Sequence, residues 1–592
     1  MRSMIDHASA HVLPILANSD DAFDIRGAAL PELTASGVEP SPELPVQMPS
    51  NTWPGLDTLP ELNNCHCTMP MLDASDESLF GVASLPCLEK LPDFDISVGT
   101  MPSSHVCENA LPDVSAASSE MCGDSCPSDS QSESPGTEAT IAVGVRSDST
   151  PPSQVGVLSF GHIAYQRLND LGVLQSLARV FCKGEIKAGS LCSGLDVFAM
   201  CLASVGIAFA PLGVSFVHEV MCEIDSKKRD ILLTSYPNVR HLYADVADLA
   251  KGPSWDYVHK EMNDCEPEVI AVGFSCKDLS CLSRQNVSFC RCPSAKRLKS
   301  TKSALTFHSA MECIRRWRCA LVVMENVKGL SVKRGVDGWK PIDVVDEAFR
   351  LAGYCGSHRL FNTASYSLPQ RRWRAYLVYY RIGLGDAEAA LQTAWHLRSD
   401  ACPLEDMLLQ LRKRGVPPVI TSAPRRKTKA VHRRWRQIRS DFVNKHLITS
   451  STLAWAERAV SETCGFACLT ERAADVLIVR YAYSKQCHGI DPTTQQVIMQ
   501  IDQSHHRVPV CVGRIPCICP TGLYWASKSE ASLPGILSAR LLAAAQGVGD
   551  EELTYFRLHH VPDTLLQDCI GNAFSGTVCM SVLLGALAAW RR

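Results

Sequence analysis

Positive charge is almost missing from the first quarter of this chain. Residues 1–150 hold four Lys/Arg (Arg2, Arg26, Lys90 and Arg146) against 23 Asp/Glu, a net of −19. The remainder carries 54 basic and 39 acidic side chains, a net of +15, so the overall −4 conceals two opposite segments. Such asymmetry fits a polyanion partner for the basic part or simply a solvated basic surface, and charge alone does not choose between them. Long apolar runs are also missing: none reaches the ~18–20 residues that a bilayer-crossing helix needs, so no membrane partner is expected. The longest candidate, 578–590, is 13 residues with Ser581 inside it and reads as a buried helix. Asp6 and Pro14 interrupt the start, which argues against a secretory leader, and the 27 cysteines are therefore expected as reduced thiols. No paired Cys-x-x-Cys framework is present. The cysteines at 65, 67, 122 and 126, at 281, 290 and 292, and at 464, 468, 487, 511, 517 and 519 fit no common zinc spacing, and no metal ligand set is assigned.

Residues 1–154 are rich in Ser, Pro, Asp and Glu with no sustained period, and read as a disordered acidic tail whose short apolar islands are either docking segments for other proteins or parts of an inert tail. From about residue 155 strand and helix patterns alternate. IKAGSLC, FVHEVMCEID, HLYADV, EVIAVGF and ALVVMENV read as strands buried on both faces. DVFAMCLASVG, SKKRDILLTSY (with Ser226 as N-cap), KSALTFHSAMECIRRWR and PIDVVDEAFRLAG read as helices. The expected fold is α/β: a Rossmann-like, mostly parallel sheet with helices on both faces, a smaller recognition domain and the N-terminal tail. The expected divisions are 1–154 tail, 155–384 catalytic domain, 385–530 basic target-recognition region and 531–592 completing the catalytic domain.

In such sheets ligands bind outside the carboxyl ends of the strands. The groups found there are Ser193 and Gly194, Glu223, Asp245, Cys276 in GFSCKDLS, and Glu325 with Asn326 in MENV. Each alone is a weak pointer. Their order is more informative.

Gly189 to Arg381 together with Leu533 to Leu587, about 250 residues, resembles the cytosine-C5 DNA methyltransferase family. AGSLCSGLDVF is similar to its first cofactor loop, CEID to its ribose-binding turn, YADV to its adenine-contacting turn and GFSCKDLS to its nucleophile loop. VMENVKGL carries its Glu-Asn-Val motif, and SLPQRRWRAYLV its Gln-x-Arg-x-Arg pattern through Gln370, Arg372 and Arg374. LPGILSARLLAAAQGV and GNAFSGTV resemble its last two motifs, with Arg540 and Asn572 in place. The resemblance implies Cys276 as the nucleophile that adds to cytosine C6, Glu325 as the acid at N3, and Arg374, with Arg372 second, as the cation that stabilises developing charge. It implies S-adenosylmethionine as cofactor, held by Ser193, Gly194, Glu223, Asp245 and Asn572, and a flipped-out target base.

The departures from the family pattern are Ser275 for the usual proline, Lys277 for glutamine, Asp196 for a second glycine and Cys192 for an aromatic. They predict a looser nucleophile loop and weaker cofactor affinity.

The middle segment occupies the place of the family's target-recognition region. From Arg412 to Arg439 there are 11 Lys/Arg and no acidic residue, with His432 and Trp435 interleaved. Arg425, Arg426, Arg433 and Arg434 are expected on DNA phosphates, as are Lys296, Arg297 and Lys299 after the nucleophile loop. Both basic runs read equally as nuclear localisation signals. The expected protein is a monomeric nuclear DNA cytosine-C5 methyltransferase. An RNA (tRNA) cytosine-C5 methyltransferase and a catalytically weakened nucleic-acid-binding relative are the alternatives.

Overall fold

The computed structural model describes residues 156–280, 302–332, 340–415, 417, 419–420, 432–464, 469–528 and 533–592. The acidic tail, the basic run at Lys296, Arg297 and Lys299, and Arg425 and Arg426 lie outside the described residues.

Two helices, α1 (Val157–Asp170) and α2 (Leu174–Phe181), lead into the alternating part. There β1 (Ile186–Leu191), α3 (Val197–Ala208), β2 (Phe216–Cys222), α4 (Ser226–Ser235), β3 (His241–Tyr243) and α5 (Val246–Leu249) follow one another. A small antiparallel pair, β4 (Ser254–Asp256) and β5 (Glu261–Asn263), precedes β6 (Val269–Val272), α6 (Lys302–Trp317), β7 (Leu321–Val327) and α7 (Pro341–Leu351). Then come β8 (Tyr354–Asn362), β9 (Trp373–Arg381), α8 (Ala387–His396) and α9 (Leu404–Lys413).

The large sheet has the order β3-β2-β1-β6-β7-β9-β8. The first five strands are parallel, and β9 and β8 are antiparallel additions at one edge. The chain leaves β1 toward β2 and later returns to β6 on β1's other side, so the topological switch point falls between β1 and β6. Period-2 alternation divides the sheet's side chains between two cores. Val269 and Ala271 of β6 with Leu321 and Val323 of β7 pack among α1, α3, α8 and the C-terminal helix. Ile270, Val272, Val322 and Met324 face the other way, onto α6 and α7. Both faces are covered, which is why these strands are nearly continuous apolar runs. A bulge between Ala188 and Gly189 sits where a Cβ on Gly189 would come within 2.4 Å of Val220, so the close approach of β1 and β2 requires glycine there.

The second sheet, in order β10-β14-β13-β11-β12, is built from β10 (Val419–Ile420), β11 (Val497–Gln500), β12 (Val510–Val512), β13 (Tyr524–Ala526) and β14 (Gly535–Leu537). It is joined by α10 (His432–Lys445), α11 (Ser450–Cys464) and α12 (Glu471–His488). Its strands alternate as well: Ile498, Tyr524, Ala526 and Leu537 enter the main core, whereas Val497, Met499, Trp525 and Ile536 pack on α12. The chain closes with α13 (Ala539–Ala544), α14 (Asp550–Tyr555), α15 (Asp563–Asn572) and α16 (Gly576–Ala588). The run from Asp563 to Ala588 contains an 18-residue window apolar enough by composition to cross a membrane, with mean hydropathy 1.6, but 89% of that window is buried within the fold, as expected of core helices.

Three details differ from the sequence reading. Asp225, not Ser226, caps α4, its carboxylate accepting the Lys228 amide at 3.2 Å. Helices α8 and α9, placed with the basic region, contribute Leu391, Ala394, Leu404 and Leu408 to the main core; β14, placed with the C-terminal part, pairs in the small sheet. Trp435, interleaved in the basic run expected on DNA, donates from Nε1 to Asp475 at 3.0 Å beside buried His505, and Arg439 pairs with the same carboxylate at 2.7 Å. Burial of Asp475 against α10 claims both side chains for packing.

Candidate functional site

The groups at the carboxyl ends of β1, β2 and β3 are hydrogen-bonded to one another. Glu223, buried just past β2, accepts the Gly194 amide on Oε2 at 2.8 Å and the Asp225 amide on Oε1 at 3.0 Å. A carboxylate offers about four acceptor sites, so capacity remains for hydroxyl donors of a ligand. Gly194 is left-handed (φ +59°) with open space where a Cβ would lie, so a ligand can approach its backbone closely. Asp245, following β3, caps α5 by accepting the Ala247 amide at 2.8 Å. Ser193 stitches β1 to β2: its Oγ accepts the Cys222 amide at 3.1 Å and its amide donates to the Cys222 carbonyl at 3.0 Å. Asn572 ends α15 exposed, its amide donating back to the carbonyl and carboxylate of Asp568. Carboxylates at adjacent strand ends beside an open glycine suit an adenosine's hydroxyl and amine donors, so the donor set fits S-adenosylmethionine.

Asp196 stands where the family pattern has glycine. It keeps the left-handed backbone that glycine would take (φ +53°), a conformation Asp tolerates better than most residues. Its buried carboxylate accepts the Ala199 amide at 2.9 Å as the cap of α3 and the Ser190 hydroxyl at 2.5 Å. The loop therefore has a local reason for aspartate. Cys192 is also left-handed (φ +59°), and burial, then Glu223 and Asp245, push its thiol up to about 12.

The nucleophile loop follows β6. Cys276 closes a tight turn whose carbonyl accepts the Leu279 and Ser280 amides, each at 3.0 Å. Asp278 and Ser303 bond reciprocally (Asp278 amide to Ser303 Oγ 3.1 Å, Ser303 amide to Asp278 Oδ2 2.9 Å), fastening the turn to the start of α6. Ser275 uses the amide hydrogen that a proline would lack: it donates to Thr306 Oγ1 at 3.1 Å. The expectation of a looser loop thus meets a tether that the family's proline could not make. Thr306→Val is expected to lower stability by about 1 kcal/mol, the net worth of one such bond, measured by urea unfolding.

Glu325 and Asn326 end β7. Asn326 Nδ2 donates to the Phe274 carbonyl at 3.0 Å, locking the two loops together. Glu325, 7% exposed, lies 3.0 Å from Arg374 Nε and 3.6 Å from Arg372 Nη2 through Oε1. The Arg374 N–H is not aimed at Oε1, so this is an ion pair that leaves Oε1 without a hydrogen bond. Burial raises the Glu325 carboxyl above its ordinary value, with Arg374 and Arg372 pulling the other way. Burial, then Glu325, likewise raises the Cys276 thiol, again opposed by Arg374 and Arg372. Arg372 is a cross-brace: at 2% exposure it donates to the carbonyls of Ile518 (3.2 Å), Gly571 (3.4 Å) and Ala573 (2.8 Å). Arg374 is the freer guanidinium of the two.

Sequence reasoning missed Cys517 here, weighing it only as a metal ligand. Arg374 Nη2 donates to its sulfur at 3.4 Å. The neighbouring Cys519 thiol, and after opposing burial the two arginines, hold Cys517 well below the ordinary thiol range. Cys517 also helps to raise Glu325. Cys517→Ser removes that effect, so Glu325 should lose its proton at lower pH; the alkaline limb of the pH–rate profile is expected to move to lower pH. Arg433 and Arg434 fall in the first turn of α10.

The doubly wound sheet with a thiol, a buried carboxyl and two arginines at its switch-point end defines a methyltransferase. The chain belongs to the C-5 cytosine-specific DNA methylase family, whose model matches residues 186–584. No curated individual protein matches it. Similar solved structures include the S. pombe Dnmt2 methyltransferase, 12% identical with a TM-score of 0.36 over 68% of this chain and 98% of that one. A putative DNA modification methyltransferase encoded within an E. coli prophage is 17% identical, with a TM-score of 0.37 over the same shares. The Entamoeba histolytica methyltransferase EhMeth is 7% identical, with a TM-score of 0.35, again over 68% and 98%.

Proposed function

We propose that this chain methylates C5 of cytosine in DNA, with S-adenosylmethionine as donor and Cys276 as covalent nucleophile. The observation that carries the reading is the joining of the Cys276 turn to the Glu325–Arg374 ion pair through the Asn326–Phe274 hydrogen bond. The Cys276 thiolate adds to C6 of a base drawn out of the stack, forming an S–C6 bond and making C5 nucleophilic. Glu325, whose carboxyl burial raises, takes up a proton that it shares with N3. Arg374 offsets the charge that develops. Gly194, Glu223 and Asp245 hold the cofactor, with Ser193 and Asn572 at its margins. S-adenosylmethionine, when bound, supplies the electrophilic methyl group. Loss of the C5 proton and breaking of the S–C6 bond release methylated base and thiolate. Arg433 and Arg434, with Arg425, Arg426, Lys296, Arg297 and Lys299, supply phosphate contacts, and a chromatin substrate puts the protein in the nucleus.

The test is covalent trapping. A duplex containing 5-fluorocytosine, incubated with cofactor and the full chain, should yield a denaturation-resistant protein–DNA adduct. Labelled donor offered with DNA or with transfer RNA decides the substrate. Label entering only RNA would overturn the DNA assignment, and label entering neither would overturn the enzymatic one.

A further inference from the structure

Away from the methyl-transfer groups, three side chains from separate points of the chain converge at the β3 edge of the large sheet. His241 begins β3, Asp256 ends β4, and His259 lies in the turn between β4 and β5. Asp256 is fully buried (0% exposed). Its Oδ2 lies 2.8 Å from His241 Nδ1 and 2.6 Å from His259 Nδ1, and the three ligand atoms lie within 4.8 Å of one another. Its Oδ1 accepts the Leu242 amide at 3.0 Å and the Val258 amide at 2.9 Å, which fixes the carboxylate's direction. The His241 ring is steadied by stacking on Tyr243 at 13° between planes.

Two imidazoles and two backbone amides surround this carboxylate. Among the described residues no Lys or Arg pairs with Asp256, and its ion-pair partners are the two imidazoles alone. Two imidazole nitrogens and one oriented carboxylate oxygen are the donor set of a divalent transition metal, zinc foremost. The backbone amides on Oδ1 have the place of the outer hydrogen bonds that orient a metal-bound carboxylate.

We propose that His241, Asp256 and His259 form a zinc site that fastens the β4–β5 hairpin to β3, distinct from the methyl-transfer centre. Zinc at ~2.0–2.1 Å from each donor requires the present N–O separations to open by roughly half an ångström or more. His259, 44% exposed at the tip of a turn, can open its own separation, and the 2.8 Å His241–Asp256 separation must widen as well. The same exposure gives the ion an entry path and leaves its fourth position to water. The site stands on β3, the strand that leads directly to Asp245. Loading it should therefore stiffen that edge of the cofactor side without touching Cys276.

The test uses the full chain, stripped with a chelator, desalted and titrated with Zn2+, beside His259→Ala and Asp256→Asn. His259→Ala leaves the buried His241–Asp256 pair in place, so it keeps the test open if Asp256→Asn fails to fold. Wild type is expected to retain one zinc per chain more than His259→Ala by elemental analysis, with Zn2+ affinity about tenfold or more tighter. With Co2+, the wild-type-minus-variant difference spectrum should show nitrogen–oxygen ligation and no thiolate charge transfer. Equal zinc content and equal affinity in wild type and a folded His259→Ala would overturn the proposal. So would a difference spectrum of thiolate type, which would assign the ion to cysteines.

Discussion

Replacing Cys276 by serine is expected to lower methyl transfer by roughly 10⁴-fold or more, the scale seen when a covalent nucleophile is removed. Folding should be unaffected. The thiol is partly exposed, and the turn around it is held by its backbone carbonyl and by the Asp278–Ser303 pair, neither of which uses the sulfur. Cofactor binding, measured by calorimetry, should stay within about twofold of wild type, because Gly194, Glu223 and Asp245 lie on other strand ends. The variant should also give no adduct with 5-fluorocytosine DNA. Full activity in Cys276→Ser would remove the thiol from the chemistry altogether.

Arg372→Met is expected to cost about 3–5 kcal/mol of stability, the range for deleting one member of a buried ion pair. Two losses combine. The Ile518, Gly571 and Ala573 carbonyls lose their guanidinium donor, and Glu325 is left facing Arg374 alone. Chemical denaturation would show a lower midpoint. Arg374→Met should behave differently. Arg374 makes two hydrogen bonds, to the Trp373 carbonyl and the Cys517 sulfur, against the three by which Arg372 braces distant carbonyls, so its loss should cost less stability and fall more on turnover. If the two variants had the same stability, the separation of bracing from charge stabilisation would be wrong.

The large sheet was legible in the sequence because its strands are buried on both faces. Runs such as VIAV and LVVMENV leave no polar face to confuse them with amphipathic helices. The antiparallel edge was not legible: β8 reads YCGSHRLFN, half-exposed, and only its pairing with β9 makes it a strand. The boundaries of the smaller sheet were also hidden. Its strands are two to four residues long, and both of its faces are apolar, so no change in pattern marks where one core gives way to the other. The strand-end candidates were visible because topology alone assigns importance to residues following a parallel strand. Cys517 was not, since it arrives from a short irregular segment about 140 residues after Arg374 and touches it only in three dimensions. The His241–Asp256–His259 cluster escaped for the same reason: nothing in the spacing suggests that a strand edge and a hairpin turn meet.

The inward face of the small sheet constrains which segments could be exchanged between this chain and a relative. Ile498, Tyr524, Ala526 and Leu537 are wedged into the same interior as the catalytic helices, while alternate residues serve only α12 and its neighbours. A small-sheet segment grafted from a relative would therefore have to be tailored on one side to this chain's interior while remaining free to vary on the other. Swaps that copy the whole segment should misfold, whereas chimaeras that keep the inward residues and change the outer half should survive.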